Sequence, residues 1–160
     1  MRPGENGLTE ESRREREIRY MSDLLQELRV ILPGVQVTFA FLLTVAFMDR
    51  FAQATELQRS VYFAALLSTA MATAFFIAPT IQHRILWRQG ERAMRLKMGN
   101  GLLIAGTILL AIGMSCVVFL VADVVYGRTG AIVATGAMVI VFVGLWYLFP
   151  LYRRMRNGRF

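Results

Sequence analysis

One histidine, His83, and one cysteine, Cys116, are all the chain offers of the side chains that most often act as nucleophile, base or metal ligand. Covalent catalysis needs a nucleophile with a base in hydrogen-bond reach. A zinc site needs three or four Cys, His or carboxylate ligands at close spacing. Neither pattern occurs, and no strand leads into a glycine-rich phosphate loop. The residues therefore predict a non-enzymatic protein with no cofactor and no metal. Cys116 has no second cysteine to pair with and reads as a small apolar filler.

Two groups of polar residues remain. Glu27, Arg29 and Gln36 stand around the start of the first long apolar run, and His83 and Arg84 close the second. An antiparallel pairing of those runs brings the five to one membrane depth. Glu27 then pairs with Arg84 or accepts from His83. The cluster is read as a structural clamp, with a pH-responsive gate at His83 and an arginine site for a phosphate or lipid headgroup as the alternatives. Asp49 and Asp123 lie at the opposite ends of their runs. Asp123 with Arg128 makes a loop ion pair on one reading, and with Asp49 a cation-attracting outer mouth on the other.

The elements that must hold these residues are mostly apolar. Hydrophobic side chains make up 56% of the 160 residues, above an ordinary soluble domain. Four runs, at 31–48, 61–81, 101–122 and 131–151, each approach the roughly 20 helical residues that cross a bilayer. They predict an all-α, integral membrane four-helix bundle over residues 31–151, followed by a basic cytosolic tail at 152–160. A short flexible stretch at 1–8 is expected ahead of a helix at 9–32, and no cleavable signal peptide. In that helix Ile18, Met21, Leu25, Leu28 and Leu32 recur three and four apart, one stripe along a surface. Pro33-Gly34 is expected to bend the chain, laying 9–32 along the interface as an amphipathic helix.

The net charge of +7 follows the same topology. Fifteen of the 18 Lys and Arg residues fall before the first run, between the second and third, or after the fourth. The positive-inside rule places those stretches, both termini included, in the cytosol. Anionic lipid headgroups are then the expected partner of the basic residues, and nucleic acid is not.

Within the runs the polar inventory is hydroxyls and one amide. It includes Thr38, Thr44, Ser68, Thr69, Thr73, Thr107, Ser115 and Thr135. No ionisable group stands near the centre of a run, where proton-coupled carriers usually hold one. Gly99, Gly106 and Gly113 repeat every seven residues, as do Gly130, Ala137 and Gly144. Small residues on one face let helices approach closely in lipid. The two stripes predict a close hairpin of the third and fourth spans, or a contact between subunits.

The segments Leu24-Leu25-Gln26-Glu27-Leu28-Arg29-Val30, Gly34-Val35-Gln36 and Phe39–Thr44, with Arg50-Phe51, Ile77-Ala78-Pro79 and His83-Arg84, carry a resemblance. Over about residues 20–125 the chain resembles a family of small bacterial four-span membrane proteins of unknown function, some labelled sodium:proton antiporter. The resemblance implies a bacterial plasma-membrane location. It also implies that Glu27, Arg29, Gln36, His83 and Arg84 belong to the family's pattern. The expected function is association with a membrane partner or lipid at the cytosolic face. The alternative is a small homo-oligomeric ion or proton transporter or channel, lined by hydroxyls and mouthed by Asp49 and Asp123.

Overall fold

A computed structural model describes residues 3–85 and 92–157. Among them the chain is helical apart from one short connection. Helix α1 spans Pro3–Ala46, a 3-10 turn covers Asp49–Gln53, and α2 spans Glu56–Ile85. Helix α3 spans Arg92–Phe142, a π-helical turn follows at Val143–Leu148, and α4 spans Phe149–Asn157. Three stretches are long and apolar enough to cross a membrane: Gln26–Ala46, Glu56–Gln82 and Gly99–Arg153.

The third of these has 55 residues. At 1.5 Å per residue a straight helix of that length reaches about 80 Å, more than twice a bilayer core. It is not straight. Gly127 has φ 75° and ψ −177°, outside the helical region, and only glycine adopts such a conformation without strain. The Thr107 hydroxyl lies 3.0 Å from that of Tyr147, 40 residues on. A straight helix would separate them by about 60 Å. The chain therefore reverses at Gly127, and the two arms of α3 lie side by side.

A seven-residue repeat sets the packing. On α2 the buried positions are Tyr62, Ala65, Thr69, Ala72, Phe76 and Pro79, alternating three and four apart as in a left-handed helix pair. Helix α1 answers with Leu28, Val35 and Leu42, each at most 4% exposed. The pairing is antiparallel. Leu42 clusters with Tyr62 and Ala65 at one end, and Leu28 and Val35 with Ala72 and Phe76 at the other. The Tyr62 hydroxyl donates to the Leu42 carbonyl at 2.8 Å, which fixes that register.

The bend expected at Pro33 does not end the helix, since Pro33 lies inside α1. Proline is tolerated in apolar helices whose neighbours support the freed carbonyl. Leu28 and Leu32, at the end of the predicted surface stripe, pack into the core with Phe76. That part of the stripe seals one helix against another rather than against lipid. The side chains of Ile18, Met21 and Leu25 lie outside the described residues.

Candidate functional site

Two polar or open regions flank the helix seams. The first closes the loop end of the bundle. Thr55 and Gln58 form a capping box at the start of α2. The Gln58 backbone N–H donates to the Thr55 hydroxyl at 3.3 Å, and the Thr55 N–H donates to Gln58 Oε1 at 3.0 Å. With its oxygen so used, Gln58 turns its Nε2 to Asp123 Oδ2 at 2.8 Å. Arg128 Nε donates to the other carboxylate oxygen at 2.9 Å. The Asp123 side chain is 6% exposed and that of Arg128 49%. Both carboxylate oxygens are thus satisfied across the Gly127 reversal, and the arrangement ties α2 to the turn of α3. Sequence spacing pointed to Arg128 as a partner but not to Gln58, 65 residues away. The capping-box pattern was the available signal. Asp49 is exposed in the first turn of the 3-10 helix, and none of its atoms joins this cluster.

The second region is a groove between the two arms of α3. It has a volume of about 330 Å³, and Ile108, Cys116, Phe119, Thr135, Phe142 and Tyr147 are among its lining residues. The π-helical turn shapes its far end. Pro150 has no N–H and its ring clashes with the carbonyl four residues back. The helix widens just before it, so that the Phe149 N–H bonds to the Gly144 carbonyl, five residues back. Such widened turns recur at functional sites. At the near end the Arg128 guanidinium sits over the Phe119 ring, 5.5 Å from its centre.

Hydroxyls in these helices otherwise close on their own backbone. Thr38, Thr44, Thr69, Thr73 and Ser115 each donate to the carbonyl four residues back. Thr135 does not. Among the described residues its Oγ1 is the buried side-chain polar atom with no hydrogen-bond partner. Its place in the run was visible in the sequence, but its isolation depends on packing that the sequence does not specify.

The small-residue stripes separate. A Cβ on Gly99 would stand 3.9 Å from that of Pro79, and one on Gly106 2.8 Å from the Phe76 ring. One on Gly113 would meet the Thr69 hydroxyl at 2.8 Å and the Ala65 carbonyl at 3.5 Å. The stripe of α3 therefore lies against α2, not against the arm after Gly127 as the two repeats suggested. Gly130 is crowded only by Tyr126 across the reversal, and nothing lies within 4 Å of a Cβ on Gly144. Ala137 is exposed.

At the other end, Glu27 and Arg29 flank buried Leu28 and are exposed, and Gln36 is exposed beside buried Val35. The side chains of His83 and Arg84 lie outside the described residues, so the clamp they were expected to form does too. Among the described residues no three His, Cys, Asp or Glu side chains gather as a metal site.

A model of a family of unknown function, DUF6328, matches residues 10–150. The chain belongs to that family. The match extends past the residues on which the resemblance was read and takes in both arms of α3. No curated protein and no solved structure matches the DUF6328 chain.

Proposed function

We propose that this DUF6328 protein crosses the membrane four times, with both ends at the cytosolic face. In this reading it acts without catalysis, by holding a membrane partner or anionic lipid through α1. The fourth crossing follows from the reversal at Gly127, and the orientation from the bias of Lys and Arg. The observation that carries the reading is a contrast between the two ends. Asp123 has both oxygens occupied by Gln58 and Arg128, which leaves little charge to attract a cation there. Glu27, Arg29 and Gln36 are exposed on the side of α1 turned from the Leu28–Val35–Leu42 seam.

Native mass spectrometry of the full chain, extracted gently from its own membrane, tests this. A second polypeptide or an anionic lipid at fixed ratio, lost in Glu27→Lys/Arg29→Glu, is the expected result. A discrete homo-oligomer carrying neither contradicts it and favours the transport alternative.

A further inference from the structure

We propose that the groove between the arms of α3 binds a small apolar molecule carrying a carbonyl-type oxygen, which accepts a hydrogen bond from Thr135. The argument begins with the proton of that hydroxyl. Every other hydroxyl at the groove has a place for its own. Ser115 donates to the Ala111 carbonyl at 2.7 Å. Thr107 donates to the Ile104 carbonyl at 2.8 Å, so Tyr147 donates to Thr107 across the groove at 3.0 Å. Thr135 alone among them is buried without a partner, although a carbonyl four residues back satisfies so many of its counterparts. An unmet buried donor is costly, and the remedy must come from outside the chain.

Water does not fit. A buried water needs two to four polar partners, and the groove offers Thr135 alone. A lipid acyl chain suits the apolar walls but leaves the hydroxyl unmet. A ligand hydroxyl satisfies one proton and introduces another, since each hydroxyl carries a donor of its own. An oxygen that only accepts closes the count. The volume of about 330 Å³ lies at the small end of ligand pockets. A packed helix, about 10 Å across, does not enter it. The ligand is thus apolar, compact and drawn from the bilayer, with its carbonyl at the level of Thr135. This inference does not depend on the partner proposed for α1.

The test uses the full chain in micelles with Trp87→Phe, which leaves Trp146 as the one tryptophan. Its ring lies 4.8 Å from that of Phe142, a lining residue, so it reports occupancy. The probe is 2-methyl-1,4-naphthoquinone. Saturable quenching is expected, with competition by 2-methylnaphthalene, the same rings without oxygens, weaker by about fivefold, the worth of one net hydrogen bond. Thr135→Val should weaken the quinone about fivefold and leave the hydrocarbon unchanged, while Thr135→Ser keeps the affinity. Quenching that rises linearly without saturation overturns the site. Equal affinity in Thr135→Val overturns the assigned hydrogen bond and leaves an acyl-chain groove.

Discussion

The seam between α2 and α3 and the seam between the two arms of α3 carry the same sequence signature and pack differently. Both have small residues every seven positions. In the first, each glycine meets a particular side chain: Pro79, Phe76 or Thr69. In the second, Gly144 faces open space and Ala137 is exposed. A groove remains beside the open arm, with an unpaired hydroxyl and a widened helical turn at its edge. Spacing makes close approach possible, and the partner's shape decides whether it happens. Phe76 fits over Gly106 because a large ring needs a missing Cβ beneath it. No comparable ring meets Gly144.

The contrast breaks most visibly under added bulk. Gly106→Leu and Gly113→Leu should each cost about 3 kcal/mol, the upper part of the range for overpacking, while Gly144→Leu should cost under about 0.5 kcal/mol, as at an open surface. Unfolding in mixed micelles reads all three, and a Gly144 variant as damaging as the other two would erase the difference between the seams. Next in size is the tie across the reversal. Asp123→Ala leaves Gln58 Nε2 and Arg128 without their acceptor and should lower stability by about 1–2 kcal/mol. Arg128→Ala, removing a half-exposed partner, should cost less than that in the same assay.

Smaller still is the single bond that sets the register of α1. Tyr62→Phe deletes the donor to the Leu42 carbonyl, for about 0.6 kcal/mol on the scale of interhelical bonds in membranes. Thermal melts give the check, and an unchanged melt would mean that side-chain packing alone holds the register. The smallest effect separates two threonines. Thr69→Val loses a bond to Ala65 and should destabilise by a few tenths of a kcal/mol, whereas Thr135→Val loses none and should be neutral or slightly stabilising. A larger loss at Thr135 than at Thr69 would mean that its hydroxyl is not orphaned.

The all-helical fold, the apolar runs and the Asp123–Arg128 pair were legible because each rests on local chemistry: run length, a short loop, opposite charges five residues apart. Which helix receives the glycines of α3 was not. Gly106 and Ala137 look alike as small residues, and only the position of Phe76 on α2 distinguishes them. The continuity of α1 through Pro33 was also hidden, because proline's cost is weighed against tertiary support that no local pattern reports. Thr135 was visible as a hydroxyl within a run, but its lack of a partner is a property of the space around it.

The reversal at Gly127 underlies both the second seam and the groove, and a distance measurement tests it most directly. With Cys116→Ser as background, spin labels go on Ile108→Cys and Leu148→Cys, both exposed positions. Pulsed dipolar spectroscopy should give a separation of about 20 Å or less, the spacing of packed helices plus the two label arms. A distance near 60 Å, that of 40 residues of straight helix, would contradict the reversal and remove the groove with it.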